Sequence, residues 1–592
     1  MANGRTRAAA AMLAVAAAAF GPGATAAAAA QDGITGAARI APVETAIGAY
    51  LAGRTADRTN DLTAAATYYA QALSADPENP QLLATAFRAA LRAGEVDRAV
   101  PMARRLDSIE LDGMAQAVLL TADIASGKFK DALATAASVE RAGLAAFVMP
   151  LVEAWARAGS GDTEGAVTAL SPLADNPAFS GLASAHEGMI REVAGDLAGA
   201  RSAYERALVE GEPLRLAQAL GSLYRRSGDL DAARALYRDD DGSDPENLLL
   251  QAALADLEAG VEPRPLVADA VEGTAESFYQ VGSILEREGA IDLALVYARL
   301  ALHLRPDFPL GQMLLGDILI AMDRPGEALA VFEAIDDASP VAWPAGLQEA
   351  DALADLDRYE EAAVRLEGLA EQRPARSEAL IRLGDLHRVE GVFEASVEAY
   401  DRAYERAPDV LDEDWTFLYR RGIALERAGL WARAERDLTR AIALEPDHAH
   451  LLNYLGYSWI DRGENLAEGE ELILKAVELA PDDGYIVDSL GWAYYRTGRL
   501  EEAVEALERA VALRPEDPTI NDHLGDAYWM VDRRTEARFQ WRRALRMAER
   551  DEPEMILDIE RKLADGLVDP GILEGPLTAT DQAAPESAVE AE

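Results

Sequence analysis

Apolar and small residues recur along this chain at a spacing that keeps returning to 34 positions. The clearest copy has Leu490, Gly491, Tyr494, Ala503, Leu507, Ala510 and Pro515. The next copy repeats the pattern 34 positions further on, at Leu524, Gly525, Tyr528, Ala537, Trp541 and Ala544. Two apolar stretches within such a period are typical of stacked helical hairpins. The pattern predicts an all-α solenoid of about 15 hairpins.

The middle of each first helix carries a residue that is usually small. The series is Gly53, Phe87, Leu120, Ala154, Gly188, Gly221, Gly282, Gly316, Ala350, Gly384, Gly422, Gly456, Gly491 and Gly525. Most steps are 33 or 34 residues, but one step of 38 contains an extra linker at 408–414. The step of 61 between Gly221 and Gly282 predicts one shortened hairpin near 248–259. Acidic and proline-rich sequences flank it, so we expect a hinge there.

These positions have simple physical roles. A small residue allows two helices to approach closely, at a helix-propensity cost near ~1 kcal/mol. Proline ends a second helix because it lacks the N–H and clashes with the preceding turn. Such prolines are Pro77, Pro306, Pro340, Pro374, Pro408, Pro446, Pro481 and Pro515. Ordering one hairpin costs roughly 35–70 kcal/mol of backbone entropy, so the hairpins must stack to be stable.

The N-terminus has the layout of a secretory signal peptide. Arg5 and Arg7 precede an apolar run from Ala8 to Phe20, and small residues follow it. The run is too short to span a bilayer, and Ala26 and Ala30 are two alternative cleavage positions. The chain has no cysteine, which excludes disulfides and a lipidated N-terminal cysteine. We therefore expect export to a periplasm, with any outer-membrane association made through a partner.

The overall charge narrows the classes of partner. The chain has 103 acidic and 56 basic residues, for a formal net charge of −47. Nucleic-acid binding depends on Lys and Arg neutralising phosphates, so this balance argues against it. It equally disfavours adhesion to anionic lipid through a basic patch. An acidic solenoid favours basic protein partners.

The chain divides into six predicted segments. They are a signal peptide at 1–30, a degenerate N-terminal array at 41–240, an eroded repeat or hinge at 241–275, a C-terminal array at 276–550, a capping helix at 551–568 and an acidic disordered tail at 569–592. No Lys or Arg follows Lys562, which is why we expect the tail to lack a packed structure.

The repeat pattern resembles the tetratricopeptide repeat family, most strongly between Gly282 and Ala544. The resemblance implies a right-handed superhelical solenoid. The last three repeats are also similar to exported proteobacterial tetratricopeptide proteins, which include an outer-membrane lipoprotein adaptor of a carboxyl-terminal processing protease. The sequence of 453–457, the segment 486–492 and the run 523–529 carry this narrower resemblance. The chain departs from the lipoprotein in lacking its cysteine, which puts membrane tethering in doubt.

In tetratricopeptide arrays the first helix of each hairpin lines a concave groove. Counting one turn each way from the small residue gives the candidate protein-binding positions. They are Asn453, Tyr457, Asp488, Trp492, Tyr495, Asp522, Asp526 and Trp529. Aromatic residues beside acids suit a peptide or helix that carries basic residues. For Trp492 and Trp529, packing against the next repeat is an equally good explanation.

The sequence offers no basis for catalysis. It contains no nucleophile elbow, phosphate loop or zinc-protease motif. His448 and His450 flank Ala449 after Pro446, which indicates a solvated turn rather than a metal site. We expect a non-enzymatic scaffold of the bacterial cell envelope without cofactor or metal, which captures proteins such as a periplasmic processing protease and its substrates. The alternatives are an assembly factor for exopolysaccharide or outer-membrane export, and a regulatory subunit of an enzyme encoded elsewhere.

Overall fold

The structure is a computed structural model, and it describes residues 45–106, 113–210, 213–238, 248–548, 553–568 and 572. The predicted signal peptide lies outside these residues, as do 239–247 and, apart from Ile572, the predicted tail. Every regular element in the described ranges is an α-helix, and there are 32 of them. The predicted all-α class is therefore confirmed. By its internal contacts the chain separates into two compact units, with unit 1 ending at Arg365 and unit 2 beginning at Leu366.

Unit 1 contains a first set of helices. They are α1 (Ala46–Arg58), α2 (Leu62–Ala75), α3 (Pro80–Arg92), α4 (Val96–Ala103), α5 (Met114–Ala125), α6 (Phe129–Ser138), α7 (Leu144–Gly159), α8 (Thr163–Ala169), α9 (Ser171–Ala174), α10 (Ser180–Val193), α11 (Leu197–Glu210), α12 (Pro213–Arg226), α13 (Leu230–Tyr237), α14 (Leu248–Glu258), α15 (Ala270–Arg287), α16 (Ile291–Leu304), α17 (Pro309–Ala321), α18 (Pro325–Glu333) and α19 (Ala342–Asp355). Helix α20 (Tyr359–Gln372) contains the boundary between the units.

Unit 2 continues the same alternation of first and second helices. Its helices are α21 (Glu378–Val389), α22 (Phe393–Arg406), α23 (Pro408–Leu411), α24 (Trp415–Arg427), α25 (Trp431–Leu444), α26 (Ala449–Arg462), α27 (Leu466–Leu479), α28 (Gly484–Arg496), α29 (Leu500–Leu513), α30 (Pro518–Met530), α31 (Arg534–Met547) and α32 (Pro553–Asp565). Helix α32 lies within the predicted capping segment and packs against α31.

The small residue of most first helices packs against a large residue 16 positions later, in the second helix of the same hairpin. The pairs are Gly53 with Tyr69, Gly188 with Tyr204, Gly221 with Tyr237, Gly316 with Phe332, Gly384 with Tyr400, Gly422 with Leu438, Gly491 with Leu507 and Gly525 with Trp541. A Cβ at position 384, for example, would lie 2.6 Å from the Tyr400 ring. Glycine is therefore required at these positions for close packing rather than for a turn.

The shortened hairpin expected near 248–259 is a single helix, α14, so the predicted second helix is wrong. Residues 259–269 contain no helix. Pro263 and Pro265 account for this, because proline cannot donate the helical hydrogen bond and holds the preceding residue in an extended conformation. The segment then packs inside unit 1, where Val267 is buried. The predicted hinge at 241–275 stays a prediction; the boundary between the units lies elsewhere, at Arg365.

Candidate functional site

The inner face of unit 1 is not an open groove. Helix α15 packs on the first helices α5, α7 and α10, and α16 packs on α3, α4 and α5. Trp155 of α7 is completely buried, and its indole ring lies directly against Gly273 of α15. A side chain at 273 would overlap the ring. The chain thus fills the groove of its own N-terminal repeats, which differs from the open groove expected for every repeat.

A continuous set of hydrogen bonds fixes α15 in this position. Trp155 Nε1 donates to His186 Nδ1 at 3.1 Å, so His186 carries its proton on Nε2 and donates it to Gln280 Oε1 at 2.8 Å. Gln280 Nε2 donates to Glu276 Oε1 at 3.1 Å. Burial lowers the pKa of His186 to about 4, against weaker opposing effects of Gln280 and Glu276. His186 is therefore neutral, as its acceptor role toward Trp155 requires.

The carboxylate of Glu276 ends this set of bonds. Its side chain is fully buried, and Arg215 of α12 pairs with both carboxylate oxygens, with Nε to Oε1 at 2.9 Å. Arg215 Nη1 also donates to Gln218 Oε1 at 2.9 Å. A buried carboxylate is tolerated only when it is paired and hydrogen-bonded, so the pair requires α12 and α15 to stay together.

The eight predicted groove residues lie on three first helices of unit 2. Asn453 and Tyr457 are on α26; Asp488, Trp492 and Tyr495 are on α28; Asp522, Asp526 and Trp529 are on α30. The structure places them in three different environments.

The three residues on α30 face the cap helix α32. Lys562 Nζ donates to Asp522 Oδ2 at 2.7 Å and to Asp526 Oδ2 at 2.9 Å. Asp526 is buried and also accepts from Trp541 Nε1 at 2.9 Å. Burial, together with Asp522, raises the pKa of Asp526 despite Lys562. The Trp529 ring lies against Gly566, just after α32. Asp526, a predicted groove residue, is therefore buried, and its carboxylate holds the chain's own lysine instead of facing the groove.

The residues on α28 pack mainly against the next repeat. Asp488 is buried, and both its oxygens lie 3.0 Å from His523 Nδ1. Trp492 stacks on His523 with ring centroids 4.2 Å apart and on Tyr495 at 5.0 Å. Tyr495 is fully buried and belongs to the core. The predicted groove positions of Asp488 and Tyr495 are wrong for this reason, whereas Trp492 stays half-buried.

A partly exposed face remains on the first helices α24, α26 and α28. It consists of Tyr419, Asn453, Tyr457 and Trp492, which we call the aromatic face; all four are half-buried. Tyr419 precedes Gly422 by three positions, just as Asn453 precedes Gly456. The repeat register therefore contained the signal for Tyr419, although Tyr419 was not among the predicted groove residues. Burial, with Asp461 and Asp488, raises the pKa of Tyr457, which keeps its hydroxyl protonated as a donor.

Further aromatic rings pack around Tyr419 on α24 and at the start of α26. Tyr419 lies edge-on to Tyr454 with centroids 5.9 Å apart, and Trp415 packs on His448 at 4.7 Å. His448 Nδ1 accepts from the Leu451 N–H at 3.2 Å, so it caps the N-terminus of α26. The Nδ1 atom of His448 is therefore occupied by the backbone of α26. Among the described residues no group of three metal-ligating side chains comes together.

The extra linker at 408–414 opens a cleft of about 500 Å³ between α22, α24 and α25. Its walls include Arg421, which pairs with Asp437 at 2.6 Å and lies over the Tyr404 ring at 4.4 Å. Arg433 pairs with Asp401 across the same cleft at 2.5 Å. Four arginines and four acidic residues line the cleft, so its formal charges balance.

The aromatic face differs from the inner face of unit 1 in the range of the contacts around it. The hydrogen bonds and ion pairs described in unit 2 join residues at most 40 positions apart. In unit 1 they join residues as far as 262 apart, as in Asn60 Nδ2 to the Met322 carbonyl at 2.6 Å. In the part of unit 2 that the structure describes, helices pack within one repeat or between successive repeats. None of the described helices is long and apolar enough to cross a bilayer.

Four segments of the chain match family models of the tetratricopeptide repeat. Residues 48–79, 347–410 and 419–484 match models described as tetratricopeptide repeat, and residues 491–532 match one described as TPR repeat. A relative, the TPR repeat-containing protein PA4667 of Pseudomonas aeruginosa, is 38% identical over 163 residues. The match covers 27% of this chain and 27% of that protein, so the chain spans about a quarter of the relative's length.

Solved structures with similar helical repeats are more distant. The APC/C hetero-tetramer Cut9–Hcn1 is 14% identical, with 88% of this chain and 96% of that chain covered, at a TM-score of 0.37. MamA from Desulfovibrio magneticus RS-1 is 21% identical, with 29% and 95% covered, at a TM-score of 0.26. Likenesses this distant bear on neither function nor partners. The matched segments themselves are tetratricopeptide repeats, which generally bind other proteins.

Proposed function

We propose that this protein is a non-enzymatic scaffold whose aromatic face captures partner proteins. The proposal depends on which helices pack over each face. The inner face of unit 1 is filled by α15, and α30 is covered by α32, whereas among the described helices of unit 2 none beyond the adjacent repeats packs on α24, α26 and α28. Tyrosine and tryptophan side chains on rigid helices are typical anchors of protein interfaces.

The chemistry of this face indicates the kind of partner segment. Tyr457 offers a hydroxyl donor, and the half-buried rings of Tyr419 and Trp492 offer apolar area. Asp461 lies beside Tyr457 and pairs with Arg496 at 2.9 Å. A helix or extended segment with an apolar anchor and a flanking basic residue fits these features and the net charge of −47.

The cellular setting we propose is the bacterial periplasm, reached through the signal peptide at 1–30. Support comes from Arg5, Arg7 and the apolar run that follows them. Cell fractionation and N-terminal sequencing of the chain expressed in a Gram-negative host test this proposal. A mature protein that starts after Ala26 or Ala30 is the expected result, and an uncleaved cytoplasmic chain is the contrary one.

Within that setting we propose an adaptor that holds a processing protease and its substrates. Support comes from the resemblance of the last three repeats to exported proteobacterial tetratricopeptide proteins. An assembly factor for exopolysaccharide or outer-membrane export is the second candidate, and a regulatory subunit of a separate enzyme is the third. The identity of the captured partner separates the three: a protease, an export component or another enzyme.

The test is affinity capture from a native envelope fraction followed by mass spectrometry. The variant Tyr457→Ala with Trp492→Ala removes two residues of the aromatic face. The control, Trp431→Ala with Tyr494→Ala, removes the same side-chain types at sites outside that face. We expect the main partner to be lost from the first variant and kept by the second. A partner set that is unchanged, or lost equally from both variants, contradicts the proposal.

A further inference from the structure

Helix α31 is strongly basic in a chain that is strongly acidic. Its 14 residues include five arginines and one glutamate, whereas the whole chain has a formal net charge of −47. Three of the arginines, Arg538, Arg542 and Arg546, are exposed and spaced four residues apart. They therefore form one line along the outer side of the helix. Phe539 lies beside this line and is 58% exposed. We call these four residues the arginine stripe.

The arginines of the stripe lack carboxylate partners in the described part of the chain. Neighbouring arginines do have them: Arg533 pairs with Glu508 at 2.9 Å, and Arg534 pairs with Asp532 at 2.8 Å. Like charges four positions apart on a helix repel each other, so the stripe destabilises α31 unless an anionic group neutralises it. The exposed ring of Phe539 beside these arginines offers an apolar contact to an anionic segment that also carries an apolar residue.

An acidic segment of the same chain begins next to this surface. Residues 573–592 contain five acidic residues and no Lys or Arg. Just before them, Gly566 lies against the Trp529 ring, and that ring lies under Arg534 at 4.3 Å and Arg538 at 5.8 Å. The side chain of Ile572 lies within van der Waals reach of Gly498, in the turn between α28 and α29.

The packing of successive hairpins brings Ile572, from which the acidic segment starts, close to the stripe. Gly498 and Asp532 occupy the same turn in successive repeats, and both have positive φ, 77° and 63°. The hairpin α28–α29 packs directly on α30–α31. The turn at Asp532 leads into α31, which is about 21 Å long. A segment of about 20 residues spans up to roughly 70 Å when extended. The acidic segment therefore reaches the whole stripe from Ile572.

We infer that residues 573–592 bind the arginine stripe of α31 in the same molecule. Their carboxylates neutralise Arg538, Arg542 and Arg546, and an apolar residue of the segment covers Phe539. Tethering gives a weak ionic contact a high effective concentration, which makes it the dominant occupant of the stripe. The inference is independent of the proposed function, since it concerns a different surface and needs no partner.

The experiment uses full-length chains and a fluorescent peptide with the sequence of residues 573–592. In the tail-neutral variant the acids are replaced by amides: Glu574→Gln, Asp581→Asn, Glu586→Gln, Glu590→Gln and Glu592→Gln. Fluorescence anisotropy then measures peptide binding at low salt. We expect the peptide to bind the tail-neutral variant at least about tenfold more tightly than the wild type, because in the wild type the tail occupies the stripe.

Adding Arg538→Gln, Arg542→Gln and Arg546→Gln to the tail-neutral variant is expected to weaken peptide binding by about tenfold or more. The matched control replaces three exposed arginines elsewhere, with Arg54→Gln, Arg58→Gln and Arg436→Gln, and is expected to keep it. Both sets change exposed sites, and circular dichroism checks that the variants fold.

Equal binding of the peptide to wild type and tail-neutral chains overturns the inference, because the tail then does not compete. Equal loss of binding in both arginine variants overturns it as well, since the effect is then one of net charge. A third arm adds vesicles of phosphatidylglycerol to the wild type. Vesicle binding that depends on the stripe assigns the surface to anionic lipid and also overturns the inference.

Discussion

The inner face of unit 1 and the aromatic face of unit 2 are built from the same kind of first helix, yet they differ in what covers them. In unit 1, α15 lies on α5, α7 and α10 and is fixed by bonds between residues 61 and 94 positions apart. In unit 2, the described bonds join neighbouring repeats. A repeat sequence therefore specifies a stack of hairpins without specifying that its inner face is free. Which inner face stays uncovered depends on contacts made far along the chain.

Removing Arg215, the cation that pairs with the buried Glu276 carboxylate of unit 1, should have the largest effect on this difference. Arg215→Met leaves the fully buried Glu276 carboxylate without its partner, which costs about 3–5 kcal/mol. We expect urea to unfold unit 1 at a markedly lower concentration, with early loss of hydrogen-exchange protection in α15. Replacing both partners, with Arg215→Met and Glu276→Leu, should restore much of the loss because no lone charge remains.

The matched control lies in unit 2, where Arg402 pairs with Glu367 at 2.6 Å in a half-exposed setting. Arg402→Met should cost at most about 1 kcal/mol, because water screens such pairs. If the two arginine variants lose equal stability, the buried pair does not hold α15 in place, and the contrast between the two units fails.

A methyl group at the contact between α15 and α7 should have the next largest effect. Gly273→Ala places a Cβ inside the Trp155 ring, so α15 must shift outward. Overpacking of this kind costs about 1–3 kcal/mol. The expected result is a lower urea midpoint and faster hydrogen exchange along α15. Gly368→Ala is the control, since a Cβ there meets nothing within 4 Å and should stabilise its helix by up to about 1 kcal/mol.

The hairpins were predictable because they depend on local periodicity. A spacing of 34 fixes where each pair of helices starts and ends, and the small residue at Gly384 or Gly525 follows from the close approach of two helices. The filled groove was not predictable in the same way. Its contacts join Trp155 to Gly273 and His186 to Gln280, and a repeat count contains no information about such distant pairs.

The candidate site was predictable in register but not in environment. The counting selected Asn453, Tyr457 and Trp492, which are half-buried on first helices, yet it also included Tyr495, which is fully buried. Helical spacing gives the direction of a side chain relative to its own helix. It does not show that Lys562 from a cap helix pairs with Asp526, because that contact depends on how the last helix docks.

The effect of pH should be the smallest difference between the two units, and it has opposite signs in them. Burial lowers the pKa of His186 in unit 1 to about 4, so the folded state resists protonation and loses stability as pH falls below the unfolded value near ~6.5. In unit 2, burial opposes the charge of His523, but Asp488, Asp522 and Asp526 outweigh it and raise its pKa. A raised histidine pKa gives stability that is present at low pH and lost as pH rises through the folded value.

Lowering the pH from 8 to 5 should therefore loosen α15 while it tightens α30. Hydrogen exchange followed by mass spectrometry, corrected for the intrinsic exchange rate at each pH, measures both helices in one sample. His523→Gln should remove much of the change in α30 and leave α15 unaffected; equal responses of both helices to pH would show that neither histidine controls its region.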